Sequence, residues 1–175
     1  AHHLIRAADN FDKPYICALN GAATGYGMDL ASMCDIRIAS DKARVAMTYV
    51  NIGLAPGGGG CYYLPRIIGM QRTLDLIWTG RWVDAEEMLE IGYVLKVVEH
   101  DQLMQEVMDF ARKLAAGPPV ANRFAKKLVR KSVDLTLDQH LELTALMKLL
   151  NWSTEDAKEG VGAFLEKRAP VFKGR

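Results

Sequence analysis

Apolar positions follow two rhythms along this chain, and the change between them divides it. Over the first 116 residues short apolar runs with β-branched members alternate with helical spacing. Tyr15-Ile-Cys-Ala-Leu-Asn20, Asp35-Ile-Arg-Ile-Ala39, Arg44-Val-Ala-Met47 and Leu95-Lys-Val-Val98 read as strands. Between them lie helical stretches. Leu4, Ile5, Ala8 and Phe11 predict an opening helix that Asp12-Lys13-Pro14 stops, because proline lacks an N–H and forces its predecessor out of the helical region. Residues 61 to 78 predict two helical segments broken at Gly69, the second with Leu74, Ile77 and Trp78 on one face. Asp84 and Glu87 form a capping-box signature for a helix through Leu89 and Ile91, with Gly92 placed to end it. Leu103, Val107, Phe110 and Leu114 recur at helical spacing up to Gly117-Pro118-Pro119.

Beyond that point no strand pattern remains. Residues 120 to 132 predict a basic amphipathic helix, Thr136 with Gln139 caps a helix holding Leu143, Met147 and Leu150, and Thr154 to Lys167 make the last. The chain therefore divides into an α/β part over 1–116 and an all-helical region over 117–175. A helical region so rich in Leu and Met must cover the core or pack on another subunit.

The stretch Asn20 to Ile38, NGAATGYGMDLASMCDIRI, carries the densest chemistry. A strand enters a turn bearing Gly21, Gly25 and Gly27, and a short helix begins near Tyr26. Glycines at such a junction let a ligand approach the backbone, and the free N–H groups of the first helical turn point at it. The helix dipole adds partial positive charge there. This suits a carbonyl oxygen that becomes an oxyanion, with Asp29 as the nearest side chain able to move a proton. Equally, Asp29 is what a first helical turn selects for its own dipole.

Composition narrows the classes. Of 175 residues half are hydrophobic and a quarter charged, as in globular proteins, and the net charge of +1 gives no long-range field for nucleic acid or an anionic membrane. Cys17, Cys34 and Cys61 are too widely spaced for a disulfide framework or zinc site, and are expected as small buried residues in a reducing compartment, the cytoplasm or a mitochondrial matrix. Neither a metal nor a transmembrane run is expected. Gly57 to Gly60 is not followed by Lys-Ser/Thr, so it is no P-loop, and Leu30 stands where a dinucleotide fingerprint has its third glycine.

Lys13-Pro14, the Asn20-Gly21 turn, GYGMDLASMCDIRIAS, NIGLAPGGGG, LPRIIG and the closing EGVGAFLEKRAPVFKGR occur in the order found in the enoyl-CoA hydratase/isomerase, or crotonase, family, which the chain resembles from about residue 4 to its end. The resemblance implies an α/β spiral of ββα units with C-terminal helices that form trimers and dimers of trimers. It also implies that the chain corresponds to about the last two thirds of a family member. The substrate implied is an acyl-CoA, with coenzyme A entering as part of the thioester and no separate cofactor, and the chemistry implied is stabilisation of a thioester enolate.

Residue by residue, the resemblance puts one oxyanion donor on the backbone N–H of Tyr26, the first catalytic glutamate on Asp29 and the second on Tyr49. Lys167 matches a lysine that contacts the adenine end of coenzyme A bound to a neighbouring subunit. Two carboxylates sharing a water suit hydration of a 2-enoyl thioester. Tyrosine, with a reference pKa of about 10, is a poor base but a competent proton donor. No glutamate lies between Asp29 and Glu86, so a small shift of alignment does not restore the second carboxylate. The expected activity is of hydratase/isomerase type. Decarboxylation or ring hydrolysis within the family, and a non-catalytic acyl-CoA-binding subunit, are the alternatives.

Overall fold

The computed structural model describes residues 2–175. By their contacts these fall into two units, one running to Phe11 and over Tyr15–Asp109, the other comprising Asp12–Pro14 and Phe110–Arg175.

The first unit is built on two three-stranded sheets between which the first four strands alternate, the fifth staying in the second sheet and the sixth returning to the first. Strands β1 (Ile16–Leu19), β3 (Ile36–Ser40) and β6 (Lys96–Val98) form one sheet in the order β1-β3-β6, all parallel. Strands β2 (Ala22–Thr24), β4 (Arg44–Ala46) and β5 (Trp82–Asp84) form the other, with β2 parallel and β5 antiparallel to β4. Ile16 stands beside Ile36 and Ala22 beside Arg44, so one strand-strand-helix turn of chain returns each strand next to its predecessor. The result is a short spiral. Helix α1 (His2–Asp9) precedes it, α2 (Tyr26–Met33) joins its first two turns, and α3 (Gly60–Ile68), α4 (Met70–Thr79) and α5 (Ala85–Glu90) follow β4.

Side chains from both sheets and from α2 to α5 close one core, with Met28, Val45, Met47, Leu64, Val83, Met88 and Tyr93 wholly buried. Met28, Met33 and Met47 are core filling, as their positions suggest. Apart from Asp29 Oδ1, the buried side-chain polar groups of this core are satisfied. Ser32 donates to the Met28 carbonyl, Tyr93 and Ser32 hydroxyls meet at 3.1 Å, and buried Arg37 donates to the carbonyls of Tyr93 and Cys34.

Several local expectations need correction. Strands β2 and β5 are only three residues long and carry no apolar run that would reveal them. The buried face of α4 is Thr73, Leu76 and Ile77, while Trp78 points to solvent. Of the three free cysteines Cys34 alone is buried, Cys17 is half-buried and Cys61 exposed. The capping box at α5 is half made. Asp84 accepts the Glu87 N–H, but the Glu87 carboxylate is held bidentate by Arg81 at 2.7 and 2.9 Å instead of reaching back to the cap.

The second unit takes its start within α6 (Leu103–Ala115) and continues through α7 (Pro119–Lys131), α8 (Leu137–Trp152) and α9 (Glu155–Glu166). Pro119 opens α7 from its first turn, where a missing N–H costs nothing. The Thr136/Gln139 capping box is complete. Arg123 and Lys126 on α7 tie down the 12–14 segment, through the Asp12 carboxylate and the Lys13 carbonyl. The closing segment folds back on α9, where buried Asp156 accepts the N–H groups of Lys173 and Gly174 and Glu159 accepts that of Val171. No helix of the described residues is long and apolar enough to cross a membrane.

Candidate active site

The site forms where β2 turns into α2. Gly25 extends the β2–β4 ladder by donating to the Ala46 carbonyl, then turns the chain at φ 48°, ψ −113°, a conformation that excludes a side chain on backbone grounds. Its own carbonyl accepts the Asp29 N–H, the first bond of α2. Tyr26 is thus the first helical residue, and its N–H belongs to the set that no carbonyl of the helix can reach. Asp29 follows one turn later on the inward face and is wholly buried.

Tyr49 reaches this carboxylate from the other spiral turn. After β4 the chain enters a 3-10 turn, Thr48–Ile52, closed by Gly53 at φ 72°. The turn lays the Tyr49 ring beside Gly25 and places its hydroxyl 2.6 Å from Asp29 Oδ2, to which it donates. Tyr26, Asp29 and Tyr49 therefore lie together, and the last two share a short bond.

The four-glycine run covers the pair. A Cβ on Gly58 would overlap Asp29 Oδ2 and stand 2.6 Å from the Tyr26 ring, and one on Gly60 would overlap Asp29 Oδ1 and the Met47 methyl. Gly57 meets nothing. The sequence marked this run only as a loop; two of its glycines are needed so that backbone can press on a carboxylate 29 or more residues earlier. Gly60 also begins α3, so the positive end of that helix faces Asp29.

Burial pushes the Asp29 pKa up, opposed by the Tyr49 hydroxyl and by the Gly60 and Gly58 amides, and the net displacement is upward. Those amides lie close but are not aligned to satisfy Oδ1, which has no hydrogen-bond partner. Burial raises Tyr49 as well, reinforced by its bond to Asp29 and by that carboxylate's charge. Both groups are thus displaced toward their protonated forms.

Lys167 lies in the second unit. It is the C-cap of α9, exposed, at φ 55°, alone among the described non-glycine residues in having positive φ. Among the described residues no cluster of three His, Cys, Asp or Glu is arranged to hold a metal.

The sequence model described as enoyl-CoA hydratase/isomerase matches residues 1–175. Among curated relatives, the short-chain-enoyl-CoA hydratase of Clostridium acetobutylicum is 38% identical over 98% of this chain and 66% of its own length. The 1,2-epoxyphenylacetyl-CoA isomerase of Escherichia coli K12 is 37% identical over 98% of this chain and 66% of its own. The chain thus spans about 66% of these relatives. The crystal structure of an enoyl-CoA hydratase from Bacillus anthracis superposes with a TM-score of 0.95 at 35% identity, covering 99% of this chain and 67% of that one. The architecture is the crotonase-like α/β spiral with C-terminal helices that the sequence motifs imply.

Proposed function

Because the chain belongs to the enoyl-CoA hydratase/isomerase family, we propose that the protein containing it is an enzyme that binds an acyl-CoA thioester and stabilises its enolate, as a hydratase or isomerase. The observation carrying this reading is the buried Asp29 carboxylate, bonded to Tyr49 at 2.6 Å, one helical turn from the Tyr26 N–H that the helix itself leaves unpaired. The Tyr26 N–H is assigned to the thioester oxygen as charge develops there, a role for which one backbone donor is worth about 3 kcal/mol in the transition state. Asp29 is assigned the proton. Lys167 is assigned to the adenine end of coenzyme A, where an exposed ammonium meets a phosphate.

One carboxylate in place of two favours isomerisation over hydration within this reading. Moving a double bond takes a proton off one carbon and returns it to another, which a single site can do. Water addition needs a group to activate water and another to protonate carbon.

Self-association as a homotrimer or dimer of trimers belongs to the same proposal. Its support is the second unit, where Leu137, Leu146, Leu149, Phe164 and Leu165 are exposed. Three free thiols fit a reducing setting, the cytoplasm or a mitochondrial matrix.

The test is mass spectrometry of a panel of acyl-CoAs incubated in deuterated water with the full-length protein and with its Asp29→Asn variant. Deuterium at the α- or γ-carbon, or added water, that depends on Asp29 is the expected result. Thioesters that bind and return unchanged would remove the enzymatic reading and leave an acyl-CoA-binding subunit.

A further inference from the structure

Asp29 is the carboxylate bonded to Tyr49, yet it has no surface left for a substrate. Its exposure is 0%. Tyr49 occupies Oδ2, Gly58 presses on the same oxygen with the Tyr26 ring beside it, and Gly60 with the Met47 methyl closes over Oδ1. Tyr49, by contrast, is only half-buried. Its ring edge lies against Gly25, immediately before the Tyr26 N–H, so the phenol shares the corner of the site assigned to the thioester oxygen.

We infer that Tyr49 is the catalytic residue that meets the reacting carbon, and that Asp29 acts through it as the proton reservoir of a Tyr49–Asp29 relay. The inference rests on the enolate reading above and deepens it. In the forward step the α-C–H bond breaks and its electron pair enters the enolate as the thioester carbonyl becomes an oxyanion. The proton goes to Tyr49 Oη while the phenol's own proton passes to Asp29 Oδ2, which becomes a carboxylic acid. Return of the proton runs the same two transfers backwards, to the same carbon or, in an enoyl thioester, to the γ-carbon. No oxidant or water is consumed.

The relay explains three features together. The 2.6 Å bond is the path between the two proton sites. Coupled transfer avoids a free tyrosinate, which burial and the Asp29 charge both disfavour. Gly58 and Gly60 cover the reservoir, so that Asp29 exchanges its proton with substrate and solvent only through the half-buried Tyr49.

The test follows α-hydrogen exchange of butyryl-CoA in deuterated water with the full-length protein. Tyr49→Phe keeps the ring beside Gly25, and retained butyryl-CoA affinity shows that the site still folds. The relay predicts at least a hundredfold loss of exchange at every pH. If Asp29 met the substrate itself, exchange would persist within tenfold. Its rise with pH would also move to higher pH, because the carboxylate loses a bond that lowers its pKa; that outcome overturns the relay. As a second measurement, 2,3,5-trifluorotyrosine at position 49 gives a more acidic phenol in the same shape. The relay predicts a displaced pH profile, and a profile superimposable on wild type overturns it. A wild-type protein that binds butyryl-CoA without exchange defeats the enolate reading as a whole, a different result from exchange surviving in Tyr49→Phe.

Discussion

The two units of this chain differ in how far they close over their apolar residues. The spiral unit holds a core in which Met28, Val45, Leu64 and Val83 have no exposed surface, and which surrounds Asp29, although Ile52 and Trp78 stand 72% and 71% exposed on its outside. In the helical unit α7 buries none of its residues below the surface, and α8 only Met147. Leu149 and Phe164 stand 70% and 82% exposed. Apolar positions occur all around α8, which is the pattern of a helix covered on every side. The comparison teaches that the first unit holds its candidate site within a closed core, whereas the second leaves apolar area open. Chemistry needs fixed geometry and low dielectric, whereas association needs area.

The sharpest way to break the comparison is Asp29→Asn, which separates the site from the core that holds it. Activity of the full-length protein is expected to fall by about 10²–10⁴, the range for a lost acid–base group. Stability should not fall with it. Asp29 has a raised pKa in the fold, so its ionisation opposes folding: stability declines as pH rises from the unfolded value of 3.8 through the folded one, and the cost stays in force above that. Asparagine removes that cost. A melting temperature at neutral pH equal to or above wild type is the expected result, and a large drop would show that the ionised carboxylate stabilises the fold.

Next in size is a matched pair of truncations. Leu64→Ala in the wholly buried core should cost about 2–5 kcal/mol in chemical denaturation. Phe164→Ala should change the stability of the dissociated chain by less than about 0.5 kcal/mol, as surface substitutions do. It should nevertheless lower the molar mass seen by light scattering. If Phe164→Ala instead costs as much as Leu64→Ala at a protein concentration where the chain is monomeric, the second unit has a core of its own.

Gly60→Ala tests the covering of Asp29. The added methyl meets both the carboxylate and the Met47 methyl, so about 1–3 kcal/mol of destabilisation is expected from overpacking. Gly57→Ala, with nothing nearby, is its control.

Which parts of this were legible in the sequence depends on how local their causes are. The α8 capping box could be read because Thr136 and Gln139 need only each other. The box at α5 looks whole in the sequence and is half made, because Arg81 competes for Glu87 from outside the motif. Strands β2 and β5 owe their existence to pairing with β4, not to any run of their own. Tyr26 and Asp29 stand out because a glycine turn and a helix start are local, and Tyr49 came only through the family motif. The covering role of Gly58 and Gly60 depends on a contact across the spiral. No spacing in the sequence announces it.

The smallest expected effect concerns the end of the second unit, and it sharpens the contrast because it is electrostatic and exposed. Arg168 holds Glu159 with both nitrogens and the Val171 N–H adds a third bond, which together draw the Glu159 pKa down from 4.5 to about 2. A depressed carboxylate pKa means that the contribution to stability is present above about pH 4.5 and is lost as pH falls toward 2. The amides of residues 171–174, tied to Glu159 and Asp156, should therefore gain hydrogen exchange in that interval before the core amides of Val45 and Val83 do. Glu159→Gln should bring the early exchange to neutral pH with little change in global stability, since solvent screens an exposed pair. If residues 171–174 and the core instead exchange together at every pH, the closing segment is part of one cooperative unit, and the division between an inward-turned spiral and an open helical surface does not extend to their dynamics.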